Sequence, residues 1–485
     1  MNFDKSLFKS KKILAGIISS VVIISAVSFF DIVLAVGIIL IGFLTLVTSL
    51  ILFKIGIKGR ALFFLLLITF LVHFGVVLFI HYADFQPFSG RDGDYKVYDF
   101  NAKIISERLH QGNFSIKNLP VGRFYYSIII GYIYALTLPE MFIGQLLNVW
   151  LAVIAVLLTY LIVLQIGGTK KQAFFIGLIV CFYPSYLFFC SLLLKDTFVV
   201  PLVLGGLLLT LKLIKNFLWR NFAILYVILL AVMHLRFYVG YVLLFTFIFC
   251  WFLLSTMKLK KRLIYGLIIV VLLGFLPQFW GQGYYGFNNI KYFLNPRVIV
   301  SYREEAYTAS PSIPTEAPKT ETPKTETPSN SLIAKVFPNI EKAPSRASAT
   351  VKVKTELNKP FNFLINWSKS FIDLLLGPLP WQIQKYTQLY VLLEIIPWYF
   401  LLFFIVKGAF VVVKHKRIAL PLLVFGIISI AVLALFVPNF GLTTRIRIPS
   451  FIALLCLIPL GFQKLKDIKN PLLKNIDKYL NKYIL

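Results

Sequence analysis

Acidic residues are scarce in this sequence, with 20 Asp and Glu against 49 Lys and Arg in 485 residues. Charge of either sign is scarce too, at 14%, where a soluble domain carries roughly 25%. With 59% of residues hydrophobic and a mean hydropathy of +0.82, there is too little polar surface to clothe a soluble fold. Cysteine is also rare. Cys181, Cys190, Cys250 and Cys456 all fall inside apolar runs without a CxxC spacing, which argues against a disulfide framework. The sequence has no Walker motif, GxGxxG, HExxH or GxSxG, and its five histidines show no metal-ligand spacing. The net charge of +29 does not indicate nucleic acid, because the basic residues sit in short clusters between apolar runs and do not interleave with stacking aromatics.

What is abundant is lipid-compatible sequence, so an all-α polytopic membrane protein is expected. A span needs about 20 apolar residues. Suitable runs are 13–30, 32–53, 61–80, 141–164, 173–190, 197–211, 237–254, 263–280, 388–406, 418–437 and 448–463, and a shorter one, 221–235, lies between charged ends. The first follows Lys5, Lys9, Lys11 and Lys12 without a small-x-small cleavage site, and reads as a retained signal anchor. Segment 124–138 is ambiguous. Counting it as a span would invert every later loop. Omitting it gathers Lys54, Lys58, Arg60, Lys170, Lys171, Lys212, Lys215, Arg220, Lys258, Lys260, Lys261, Arg262, Lys407, Lys414, Lys416 and Arg417 on one side, as the positive-inside rule requires. The expectation is therefore about 12 spans in the plasma (inner) membrane with both termini cytoplasmic, and 124–138 is read as an interfacial or re-entrant helix.

This divides the chain into N-terminal spans (1–80), a first outer loop with amphipathic and interfacial helices (81–140), a transmembrane core (141–280), a second outer loop (281–387), C-terminal spans (388–463) and a basic cytoplasmic tail (464–485). Within the second loop, 308–331 repeats KTETP and has almost no apolar residues, so it reads as an extended linker.

The residues suited to chemistry lie on the outer side. Asp92 and Asp94 flank Gly93 in a predicted turn, ahead of a predicted amphipathic helix over 97–110; two carboxylates at this spacing could face one cavity or a divalent metal. Lys195-Asp196 interrupts two apolar runs, where charge is costly unless paired or functional. Arg236 separates two spans. Arg445 and Arg447 occupy a short outer loop, in Asn439 to Pro449, and run against positive-inside; guanidinium forks of this kind bind phosphate oxygens. Gly377-Pro378-Leu379-Pro380-Trp381 reads as an interfacial re-entry, and Glu394 inside the next run should face protein or a cavity.

From about Gly90 to Met257 the pattern resembles the multi-spanning GT-C glycosyltransferases that use polyprenyl-phosphate sugars, such as the protein O-mannosyltransferases of glycosyltransferase family 39. The resemblance rests on Asp94, Tyr95, Tyr98 and Ala102, on the aromatic segment Phe124 to Leu138, on the span at 146–168, and on Tyr183-Pro184-Ser185 followed by Lys195-Asp196. Pro120-Val121-Gly122-Arg123 stands where the family has a Pro pair, and Asp-Gly-Asp where it has Asp-Glu.

The resemblance implies a GT-C-like fold and an inverting transferase that moves a sugar from a polyprenyl-phosphate or pyrophosphate donor to a glycan, lipid or protein acceptor. Joined with the residue reading above, Asp94 or Asp92 would be the base, and Arg445, Arg447, Arg236, Lys195, Asp196 and Arg123 would bind the substrate and its phosphate, with no cofactor certain and a divalent metal at Asp92 and Asp94 an option. The rivals are a polymerase or ligase acting on lipid-linked oligosaccharides, and a transporter of anionic lipids that breaks no bond. No internal repeat supports the last.

Overall fold

The computed structural model describes residues 25–57, 59–83, 93–114, 125–275, 295, 360–377, 379, 392–436 and 444–463. The run at 13–24, Lys58, Asp92, Arg123, the linker 308–331, residues 439–443 and the tail from 464 lie outside them, as does most of the second outer loop.

Among the described residues the protein is helical and has no strand. Helices α1 (Ile32–Ile55) and α2 (Arg60–Ala83) precede two short ones, α3 (Asp94–His110) and α4 (Tyr125–Leu136). Then follow α5 (Met141–Gln165), α6 (Lys170–Cys181), α7 (Pro184–Cys190), α8 (Asp196–Lys215), α9 (Trp219–Leu235), α10 (Phe237–Leu254) and α11 (Leu259–Val270). The C-terminal part holds α12 (Pro360–Leu376), α13 (Leu392–Lys414), α14 (Leu420–Phe436), α15 (Ile448–Leu455) and α16 (Ile458–Gln463).

Among the described residues seven helices are long and apolar enough to cross a membrane, or eight if the bent pair α6–α7 is one span. The run 173–190, expected as a single span, is broken by 61° between Cys181 and Pro184. Pro184 lacks an N–H and clashes with the preceding turn, so it starts a new helix instead of continuing the old one. The run 221–235 forms α9, which has 17 residues, and 448–463 forms the short helices α15 and α16. Helix α4 has 12 residues, about 18 Å at the α-helical rise, and is too short to cross a hydrocarbon core of about 30 Å.

Helix α5 is the centre of the bundle, with most of its length buried and α2, α6 and α8 packed along it. The thin coat of α1 on the other side leaves Phe43, Leu46, Leu50 and Phe53 exposed, as a lipid-facing helix should be. Helices α3 and α4 form a tight pair, in which a Cβ on Gly131 would lie 2.6 Å from Ile105 Cβ, so glycine is what lets the two axes approach. The pair is also bonded through Tyr134, whose hydroxyl donates to Asp99 Oδ1 at 2.7 Å, while Lys103 closes on the same carboxylate at 3.1 Å.

Contacts between helix ends fix two poles. Tyr82 donates to Asp31 at 2.6 Å, His81 lies against Phe142 with ring centroids 4.4 Å apart, and Gln145 and Asn148 donate to the carbonyls of Ser191 and Leu192. These bonds gather the start of α1, the end of α2, the start of α5 and the loop before α8 at one pole. At the other, Thr256 N–H donates to Ile214 O, Gln172 donates to Pro459 O, and Lys416 lies beside Gly167. Lys54, Arg60, Lys170, Lys171, Lys212, Lys215, Arg220, Lys258, Lys260, Lys261, Arg262, Lys414, Lys416 and Arg417 all belong to helix ends at this second pole.

Candidate active site

The first pole holds a cluster of ionised side chains drawn from four separate stretches of chain. Asp196 begins α8 and is presented by the loop Ser191 to Leu194. That loop is fixed from below by Gln145 and Asn148, whose side-chain amides donate to Ser191 O at 3.0 Å and Leu192 O at 2.6 Å. Arg236 occupies the break between α9 and α10, with φ −148° and ψ 86°, outside the helical region, where the chain turns from one helix to the next. Asp94 is the first residue of α3, and Arg445 lies just before α15.

Arg236 grips Asp196 in a two-pronged fork, Nε to Oδ1 at 2.7 Å and Nη2 to Oδ2 at 2.8 Å, and its Nη1 donates to the Tyr238 hydroxyl at 2.7 Å. Arg445 approaches the same carboxylate from the other side, with Nε 2.9 Å from Asp196 Oδ2, and donates through Nη2 to Asp94 Oδ2 at 2.9 Å. Asp196 is thus buried between two guanidinium groups, whereas 49% of the Asp94 side chain remains open to solvent. Lys195, next along the chain, adds a third cation. Among the described residues three cations face two carboxylates, which leaves one positive charge over.

Burial, and then the field of Arg236, pull the Lys195 ammonium down to about 8. Burial, and next the Asp94 carboxylate, push the Tyr98 phenol above its usual range, so it stays a neutral hydroxyl beside the cluster. Tyr98 packs edge-on against Tyr126, which in turn meets Phe198 of α8; this aromatic chain seats the α3–α4 pair on the bundle.

Of the residues expected from sequence, the fold brings Asp94, Lys195, Asp196, Arg236 and Arg445 together. Asp92 and Arg123 lie outside the described residues. Arg447 is elsewhere. Its guanidinium is only 2% exposed and pairs with Glu394 Oε1 at 3.0 Å; it also donates to the carbonyls of Leu374 at 3.0 Å and Gly377 at 2.6 Å and lies over the Phe451 ring. Glu394 in turn accepts from the Tyr183 hydroxyl at 2.6 Å, from Ser185 N–H at 3.0 Å and from the Ser185 hydroxyl. The carboxylate therefore caps the N-terminus of α7 at the break after α6, and Arg447 ties that break to α12, α13 and α15. This is a structural ion pair with no open face.

Sequence reading passed over Tyr238, which holds the outer edge of Arg236, and Asp99 with Tyr134, which lock α3 to α4. The signal for Tyr238 was present in its position two residues after Arg236. Among the described residues no three His, Cys, Asp or Glu stand together as a metal site. No protein-family model, curated protein or solved structure matches the chain.

Proposed function

We propose that this chain is a membrane transferase that moves a sugar from a polyprenyl-phosphate or pyrophosphate donor to an acceptor hydroxyl, as the GT-C enzymes it resembles do. The observation that carries the proposal is the Arg445 bridge, which joins a half-open carboxylate, Asp94, to a buried cationic cluster with one charge in excess. A cluster of that sign suits an anionic leaving group, and an open carboxylate beside it suits a base.

The step balances as a single displacement. The acceptor oxygen bonds to the anomeric carbon of the sugar, and its proton passes to Asp94. The bond from that carbon to the phosphate oxygen breaks, and the electron pair leaves on the phosphate, which the cations stabilise. Attack opposite the leaving group inverts the anomeric centre. The basic residues of the second pole support placing this site on the extracytoplasmic side, in a bundle of about 12 spans whose termini are cytoplasmic. Arg447 has no part in binding in this reading; it holds the site's supporting helices.

The test uses the full-length protein in nanodiscs with a polyprenyl-phosphate sugar and follows release of the lipid phosphate. Asp94→Asn keeps an oxygen for Arg445 but removes the base, so turnover falls roughly 100-fold or more while donor binding stays near wild type. Arg445→Ala weakens donor binding and turnover together. Transport of the intact lipid, with full function in Asp94→Asn, would sink the enzyme reading.

A further inference from the structure

The three cations of the cluster differ in what they have left to give. Arg236 has committed Nε and Nη2 to Asp196 and Nη1 to Tyr238. Arg445 donates through Nη2 to Asp94, its Nε lies 2.9 Å from Asp196 Oδ2 as an ion pair without a hydrogen bond, and its Nη1 makes no hydrogen bond among the described residues. Lys195 makes neither a hydrogen bond nor an ion pair among them. Its ammonium is drawn partly out of water and is bonded to no group among the described residues, so its donors are open to an incoming anion.

The charges facing Lys195 come from every element around it: Asp196 on α8, Arg236 at the α9–α10 break, Arg445 before α15 and Asp94 on α3. Both carboxylates in that set are already engaged by arginines. The anion that would complete the site is not part of the described protein.

We propose that Lys195 and the free edge of Arg445 hold the phosphate of the substrate, and that Arg236 with Asp196 is a positioning pair that aims Arg445 and never touches the substrate. The assignment rests on the transferase reading for its choice of phosphate, but it makes a separate claim about which cation binds. It also predicts a proton dependence. The ligand binds the protonated lysine, and in the empty site that form is lost as pH rises through about 8. The two arginines cannot give such a dependence, because they remain charged throughout this range.

The experiment titrates inorganic pyrophosphate, and separately sulfate, whose charge is constant, into the full-length protein in uncharged nanodiscs between pH 6.5 and 9.5. Wild-type affinity for sulfate should fall by about tenfold per unit above pH 8, the slope for one linked proton. Lys195→Met should lower affinity at least tenfold and abolish the slope. Lys195→Arg should bind and stay flat with pH, which guards against a folding artefact in the first variant. Arg236→Lys should keep the slope, since the titrating group is intact. Wild-type affinity or slope in Lys195→Met would overturn the assignment, and so would the absence of any anion binding to wild type. A polyprenyl phosphate in the nanodisc should displace pyrophosphate from wild type. Failure to displace it, with the Lys195 effects intact, would leave the lysine assigned to a soluble phosphate and sink the lipid-donor reading alone.

Discussion

Arg445 and Asp94, 351 positions apart in the chain, are joined by a 2.9 Å hydrogen bond between Nη2 and Oδ2. The bond holds a carboxylate that is half open to solvent, and it makes the orientation of α3 depend on a residue near the start of α15. The remaining order in the site follows from Asp196, which holds Arg445 from behind.

Asp196→Asn should therefore be more damaging to stability than its size suggests. It leaves Arg236 and Arg445 buried with half their counter-charge gone, and breaking a buried pair from one side costs about 3–5 kcal/mol. The four cysteines are all buried and free, so thermal unfolding can be followed by a thiol-reactive dye without labelling the folded state. A melting temperature within a degree of wild type would show that the two arginines do not depend on Asp196.

Arg447 and Glu394 should behave as a coupled pair that matters for folding and not for substrate. Arg447→Met and Glu394→Gln should each destabilise by about 3–5 kcal/mol, and the double variant should lose clearly less than the sum. The folded fraction of each should bind donor normally. Additive losses, or a donor-binding defect without loss of stability, would move Arg447 into the substrate site.

Orientation can be read from accessibility in intact cells. Cysteine placed near Lys170, Lys260 or Lys414 should resist impermeant thiol reagents, and cysteine near Thr320 or Thr443 should react. The native cysteines lie buried and give little background. Labelling at Lys170 from outside would mean that the cationic cluster faces the cytoplasm.

Much of the helical scaffold is legible in the sequence, because a membrane rewards one simple signal. Ile32–Ile55 and Arg60–Ala83 arise from apolar runs read as 32–53 and 61–80, and the helix expected at 97–110 forms as Asp94–His110. The site was partly legible for a related reason: charge near lipid is expensive, so Lys195, Asp196, Arg236 and Arg445 stood out against their surroundings. What the sequence did not reveal is how those charges are shared. Arg445 and Arg447 looked like one fork on a loop, but residues 444–446 are already helical. Positions i and i+2 on a helix point about 200° apart, so one arginine faces Asp94 and Asp196 and the other faces Glu394. Nor could spacing show that Glu394 would cap a helix beginning about two hundred residues earlier.

That cap has a consequence for biogenesis. Ser185 precedes Glu394 by 209 residues, so α7 leaves the ribosome long before its capping carboxylate has been made. Asp196 meets Arg236 after 40 residues, but Arg445 only with the last helices of the bundle. Insertion of those helices therefore neutralises Asp94, settles Asp196 and supplies the partner of Glu394 almost at once. A nascent chain halted before residue 444 therefore carries a half-compensated cluster at Asp196 and a buried Glu394 carboxylate that caps α7 without its arginine partner.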